Sequence, residues 1–170
     1  MEFRDLSANS EKIIILGVGN ILLTDEGVGV RVIEELGRRY AFRENVELVD
    51  GGTQGLWLMS TVQEADHLIV VDAVLGKGEP GTLYLLERND LPKGLRAKQS
   101  AHDSDLVEAL NLCELIGVAP KTCVVIGVEP EDIRTMSIEL TNTLASKIDD
   151  IIQRVLDELK ALGVSPQKKI

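Results

Sequence analysis

The sequence is poor in aromatic residues, in cysteine and in positive charge, and it has no long apolar run. Phe, Trp and Tyr together make up 3% of its 170 residues, so the core must consist mainly of Ile, Leu and Val, which suits a sheet buried on both faces. The net charge of −10 argues against a nucleic-acid partner and against anionic lipid, because both need clustered Lys and Arg. No stretch reaches the roughly 18 apolar residues of a membrane-spanning helix.

The beginning of the chain shows no export signal. Residues 1–12 are polar, and the apolar run that follows covers only residues 13–16, which is too short for a signal peptide. The two cysteines, Cys113 and Cys123, lie in apolar stretches and are predicted to be buried small hydrophobic residues rather than a disulfide. We therefore expect a cytoplasmic protein that acts on neither nucleic acid nor membranes.

Strand and helix patterns alternate along the chain, and the length fits one domain over residues 1–170, with flexible ends at 1–11 and 165–170. Short apolar runs predict strands at residues 12–17, 46–50, 67–73, 82–86 and 122–128. Helical spacing of apolar residues predicts helices at residues 28–36, 56–62, 103–116 and 141–162, the last with Thr141 as its N-cap. The predicted fold is α/β, a three-layer sandwich in which a mostly parallel, twisted sheet of about five strands has helices on both faces.

The third and fourth predicted strands are separated by residues 74–81 only. This interval is too short for a helical crossover, which parallel strands would need. We therefore predict that these two strands pair with each other as a hairpin.

Polar residues collect where the predicted strands end, which in parallel sheets is the edge that binds ligands. Asn20, Asp25 and Glu26 follow the first strand, and the second strand ends in Asp50 with Gly51, Gly52 and Thr53. Asp72 ends the third strand, and the loop before the third helix places Ser100, His102 and Asp103 at the start of that helix. Four separate segments thus bring carboxylates and one imidazole to one edge.

The case for a functional role differs among these residues. Asp25 and Asp103 are explained by the favourable position of an acid in the first turn of a helix, and His67 begins a strand at the opposite edge, where a structural role is expected. Asp72 ends a buried strand and needs a charged or hydrogen-bonded partner. With Glu26 and His102 it offers two oxygen ligands and one nitrogen ligand, a set that suits a divalent ion such as Ni²⁺ or Zn²⁺ with open positions.

A dinucleotide-binding enzyme is an alternative, because residues 17–29 (GVGNILLTDEGVG) open like a G-x-G-x-x-G turn and Asp50 ends the second strand. That pattern requires glycine where this chain has Leu22, whose side chain would keep a pyrophosphate away from the helix. The sequence has no G-x-S-x-G, H-E-x-x-H or reactive-cysteine motif, which disfavours a generic zinc peptidase.

The order of motifs resembles the hydrogenase maturation proteases, the endopeptidases that trim the C-terminus of [NiFe]-hydrogenase large subunits. The resemblance runs from about residue 12 to residue 163 through GVGNILLTDEGVGVRVIEEL, VELVDGGTQG, DHLIVVDAV, PGTLYLL, SAHDSDL and VVIGVEP. One departure is that Ala101 and Asp103 flank the histidine, where some members have Pro and Gln.

The resemblance implies that Glu26, Asp72 and His102 are metal ligands and that the substrate is the large-subunit precursor after nickel insertion. The ion is then most simply Ni²⁺ presented by the substrate, for which Zn²⁺ or Cd²⁺ can substitute in vitro. A nickel carrier without a hydrolytic step would use the same ligands and is a second alternative.

Further residues at the same edge have supporting roles in this interpretation. Asp50 is a candidate proton acceptor or orienting residue. Asn20 and the backbone of Gly51, Gly52 and Thr53 are candidates for receiving the substrate tail or stabilising an oxyanion.

Overall fold

The computed structural model of the chain describes residues 11–89 and 103–169, without the side chains of Leu56 and of residues 103–105. Ser100, His102 and almost all of the predicted flexible N-terminus therefore lie outside the described residues. The strands are β1 (Ile13–Val18), β2 (Tyr40–Ala41), β3 (Val46–Gly52), β4 (His67–Ala73), β5 (Leu83–Glu87), β6 (Thr122–Val128) and β7 (Gln167–Lys168). The α-helices are α1 (Val28–Arg39), α2 (Leu58–Glu64), α3 (Asp103–Leu115), α4 (Asn142–Ala145) and α5 (Ile148–Ala161).

Five strands form one sheet in the order β3-β1-β4-β6-β5. The first four run parallel, and β5 is antiparallel to β6. The interior strand β1 is buried along its whole length, as expected of a parallel sheet covered on both faces. This architecture confirms the predicted α/β fold and its mostly parallel sheet.

Helices cover both faces of the sheet, and alternate side chains of β1 divide the core into two clusters. Ile13 and Ile15 pack with apolar side chains of α1 and α5 on one face. Ile14 and Leu16 pack with apolar side chains of α2 and α3 on the other. The two-residue periodicity of a strand thus produces the three predicted layers.

The predicted hairpin between β4 and β5 is wrong. β4 has β1 on one side and β6 on the other, so no edge of β4 is left for β5. β5 pairs instead with β6, with Leu83 opposite Val128. The interval of residues 74–82 is long enough to pass the end of one intervening strand, which a local sequence pattern cannot reveal.

The predicted final helix is divided in two, α4 and α5, by a turn at Ser146 and Lys147. Thr141 is the N-cap of α4 as predicted, and its hydroxyl accepts a hydrogen bond from the Leu144 amide. Near the C-terminus, where we predict a flexible end, β7 pairs with β2.

No helix within residues 11–89 and 103–169 is long and apolar enough to cross a bilayer.

Candidate active site

The carboxyl edge of the sheet, where β1, β3, β4 and β6 end, holds the buried polar side chains of the described chain. These residues are each 7% exposed or less: Thr24, Asp25, Glu26, Asp72 and Glu129. Four of them are carboxylates, so the edge has a concentrated negative potential that favours a cation.

Close backbone packing brings the turn of residues 24–27 onto the strand ends. A side chain at Gly29 would lie 2.2 Å from the Val71 carbonyl oxygen and 2.4 Å from the Val18 carbonyl oxygen, so α1 begins directly against the ends of β4 and β1. Gly19 has φ +130°, and a side chain there would lie 1.7 Å from the Glu26 carbonyl oxygen. Only glycine fits these approaches.

Glu26 and Asp72 are therefore brought to the same edge, as predicted. Asp72 lies one residue beyond Val71 on β4, and the turn that carries Glu26 contacts β4. Both side chains are 7% exposed. The predicted third ligand, His102, lies outside the described residues, and no group of three metal-binding side chains occurs within residues 11–89 and 103–169.

The chemistry of these two side chains fits a divalent ion. Two buried carboxylates supply oxygen donors, which Ni²⁺ and Zn²⁺ accept together with a nitrogen ligand. Burial would also keep water from competing for such an ion and would strengthen the attraction between ion and carboxylate.

Asp50 lies at the same edge but is exposed, opposite Gly17 in the parallel register. Its Oδ1 accepts a hydrogen bond from the Gly52 amide at 2.9 Å, and Gly52 has φ +46°. The Gly52 carbonyl in turn accepts from the Gly19 amide at 2.9 Å. Asp50 thus shapes the turn after β3 and remains accessible to solvent.

The predicted substrate-binding residues lie in the turns after β1 and β3 or at the end of β3. Asn20 Oδ1 accepts from the Leu22 amide at 3.0 Å, which closes the turn after β1. Gly51 is buried, and a side chain there would lie 2.7 Å from Leu16 Cδ1, whereas Thr53 is exposed. These residues lie at the carboxyl edge, and their part in binding a substrate stays a prediction.

Asp25 has a role that sequence reasoning missed. It is 0% exposed, and its carboxylate accepts hydrogen bonds from the amides of Glu131, Asp132 and Thr141 at 2.8–3.0 Å. Its partners therefore lie in another loop, not in the helix that follows it. Because the pattern around Asp25 looks like an ordinary acid in a helix's first turn, the sequence carries no signal of this role.

Glu129 was also missed, although it ends a buried strand as Asp72 does. Its Oε2 accepts from the Gly76 amide and the Tyr84 hydroxyl, each at 2.7 Å. This hydrogen bond to a carboxylate raises the pKa of Tyr84. Glu129 thereby fixes the loop that follows Asp72. Its position directly after the apolar run VVIGV is the feature of the sequence that could have identified it.

The remaining candidates lie away from this edge. His67 bonds Glu11 and Thr122 at the amino edge, at 2.7 and 2.8 Å, in agreement with a structural role. Cys113 and Cys123 are unpaired and buried, as predicted. Burial raises the pKa of Cys123 to about 11, so its thiol stays protonated at neutral pH and is a poor nucleophile.

Comparison with known proteins decides the family. Residues 30–158 match the model of a family described as hydrogenase maturation protease. The chain belongs to the hydrogenase maturation proteases. It is 40% identical to the hydrogenase 2 maturation protease of Escherichia coli, over 90% of this chain and 93% of that protein.

Two further comparisons agree with this hydrogenase maturation protease assignment. The hydrogenase expression/formation protein HupD of Bradyrhizobium diazoefficiens is 40% identical over 96% of this chain and 85% of its own length. The structure of the hydrogenase maturating endopeptidase HybD from E. coli superimposes with a TM-score of 0.88, at 38% identity, over 93% of this chain and 98% of that one. The chain is therefore an enzyme, a protease, which sets aside the carrier and dinucleotide-binding alternatives.

Proposed function

We propose that this protease removes a short C-terminal peptide from the nickel-loaded precursor of a [NiFe]-hydrogenase large subunit, in the cytoplasm, and that it recognises nickel in that precursor through Glu26, Asp72 and His102. The observation that carries the proposal is the pair of buried carboxylates, Glu26 and Asp72, at one edge of the sheet. The names of the relatives, a hydrogenase 2 maturation protease among them, support the substrate class.

In this proposal the metal belongs to the substrate and the protein supplies part of its coordination. Two carboxylates and one imidazole leave positions for ligands from the precursor. An ion shared in this way would hold the scissile peptide against the edge, and such orientation can lower a barrier by about 7 kcal/mol or more when it is well aligned. The same ion would polarise the peptide carbonyl or acidify an attacking water.

Asp50 is the residue of the edge best placed to move a proton. Its carboxylate is exposed while the turn after β3 holds it in place, so water can reach it. A carboxylate within hydrogen-bonding distance of an attacking water acts as a general base. Asn20 and the backbone of residues 51–53 line the neighbouring turns, where the substrate tail would pass.

The test is to incubate the purified protein with nickel-loaded and nickel-free precursor and to follow the precursor mass. We expect cleavage of the nickel-loaded form and none of the nickel-free form, with weaker cleavage when Zn²⁺ or Cd²⁺ replaces nickel. Glu26→Gln and His102→Ala should abolish cleavage, whereas Glu131→Gln, which removes an exposed acid near the same edge, should not. Equal cleavage of both precursor forms contradicts nickel recognition, and full activity of Glu26→Gln contradicts the ligand assignment.

A further inference from the structure

Residues 131–141 form a loop that is tied by its backbone to segment 22–26. The Ser137 amide donates to the Leu22 carbonyl at 3.1 Å, and the Thr24 amide donates to the Ser137 carbonyl at 2.9 Å. The loop thus runs beside the turn that carries one of the proposed nickel ligands.

The carboxylate of Asp25 makes the main side-chain connection between the two segments. Its Oδ2 accepts from the amides of Glu131 and Asp132, each at 3.0 Å, and its Oδ1 accepts from the Thr141 amide at 2.8 Å. The Thr141 hydroxyl lies 3.0 and 2.9 Å from the two oxygens. These donors are neutral, so the buried negative charge is compensated by hydrogen bonds, and removing it would leave several donors unsatisfied.

Thr24 shows that the turn is held in an unfavourable conformation. Its φ is +49°, a region that β-branched residues rarely adopt because of steric conflict with the backbone. Its hydroxyl donates to the Thr135 carbonyl of the loop at 2.6 Å. A strained residue persists only where its surroundings fix it, and such residues concentrate at functional sites.

Burial of apolar side chains explains little of how the 131–141 loop is fixed, because only Leu140, near its end, packs against the core. Thr135, Met136 and Ile138 are exposed, Met136 at 80% and Ile138 at 59%. Hydrogen bonds to Thr24 and Asp25 therefore account for much of its order. Loss of the Asp25 charge should release the loop while the core of the sheet stays folded.

We infer that Asp25 is a positioning residue, which locks the 131–141 loop to segment 22–26 and thereby sets the position of Glu26. One peptide bond separates Asp25 from Glu26, and the Glu26 amide donates to the Leu23 carbonyl at 3.1 Å, so a displaced Asp25 backbone carries Glu26 with it. The inference rests on the proposed function, because it assigns Glu26 to the binding of substrate nickel. A misplacement of about 1 Å at such a site is enough to slow a reaction a hundredfold.

The experiment compares Asp25→Asn with the wild-type protein on nickel-loaded precursor and by amide hydrogen exchange. An asparagine of the same size presents an N–H₂ group to backbone donors. We expect exchange at Glu131 and Thr141 to accelerate at least about tenfold. We also expect kcat to fall at least about tenfold while KM changes less than about threefold, because orientation and not docking is lost.

Two sets of controls separate positioning from general stability. Thr141→Ser keeps the hydroxyl that bonds Asp25 and should retain wild-type kcat, whereas Thr141→Val removes it and should lower kcat. Leu159→Ala makes a cavity in α5, where Leu159 is 0% exposed, and lowers the stability of the fold far from the carboxyl edge. Assayed at a temperature where all variants are folded, it should keep wild-type kcat.

Wild-type exchange rates in Asp25→Asn would overturn the inference. So would a wild-type kcat in Asp25→Asn while Glu26→Gln is inactive, or an equal fall of kcat in Leu159→Ala. Full cleavage by Glu26→Gln would instead contradict the proposed function, whatever Asp25→Asn does.

Discussion

At the carboxyl edge of the sheet four carboxylates are buried, and two of them, Asp25 and Glu129, accept hydrogen bonds from backbone amides and hydroxyls. At the amino edge the charged side chains are exposed and bonded to one another. Lys12 contacts Glu47 and Glu64 there, each at 2.9 Å, and Lys121 contacts Asp66 at 3.0 Å. Side-chain exposure in these pairs is between 36% and 60%.

The charged groups at the two edges therefore differ in what they contribute to stability and in what they cost. Exposed ion pairs contribute only about 0–1 kcal/mol to stability and are screened by salt. A buried carboxylate costs free energy unless it is bonded, and it is retained where its position matters. Asp25 and Glu129 each fix a loop next to a proposed nickel ligand, so the carboxyl edge is organised around Glu26 and Asp72.

The largest expected effect distinguishes two aspartates at opposite ends of β4, Asp66 just before it and Asp72 near its carboxyl end. Asp72→Asn should lower cleavage of nickel-loaded precursor by about a hundredfold or more, because it weakens the hold on the ion that orients the peptide. Asp66→Asn makes the same change at the amino edge and should leave cleavage unchanged. Mass spectrometry of the precursor over time measures both, and equal losses in the two variants would remove the distinction between the edges.

The next effect concerns stability. Glu129→Ala removes the acceptor of the Gly76 amide and the Tyr84 hydroxyl. Hydrogen bonds to a charged group contribute about 1.5–3 kcal/mol, and we expect a loss of this order in the free energy of unfolding, measured with urea. Cleavage should also slow, because the loop after Asp72 is loosened.

The matched change at the amino edge is Lys12→Met, which breaks two exposed ion pairs. It should cost about 1 kcal/mol or less at low salt, and the loss should shrink as the salt concentration rises. A loss as large as that of Glu129→Ala, unaffected by salt, would show that the two edges do not differ in this way.

The sequence predicts those features of the two edges that depend on residues close together in the chain. β4 was predicted to the residue, because HLIVVDA is a continuous apolar run with polar neighbours, and the alternation of strands and helices was enough for the fold class. The place of Glu26 and Asp72 at one edge follows from parallel strands. The family resemblance identified the protease.

Long-range contacts were beyond such patterns. The donors to Asp25 are 106, 107 and 116 residues away in the sequence, so nothing local distinguishes it from an ordinary helix-terminal acid. The hairpin error has the same origin, because the strand that separates β4 from β5 comes later in the chain than both. The role of His102 as third ligand remains a prediction.

The smallest expected effect is a dependence of folding stability on pH that arises from Tyr84 and Glu129 at the carboxyl edge. The hydrogen bond from Tyr84 to Glu129 raises the pKa of the phenol above its usual value of about 10. In alkaline solution the folded protein therefore keeps a proton that the unfolded chain has lost, and its stability falls as the pH rises from about 10 through the raised pKa. Loss of the proton would place a phenolate beside a buried carboxylate.

Urea unfolding at several alkaline pH values measures this fall in stability. The fall should be shallower in Tyr84→Phe and unchanged in Tyr40→Phe, the variant of the other tyrosine. The same fall in Tyr84→Phe as in the wild type would show that the pair with Glu129 has no part in it.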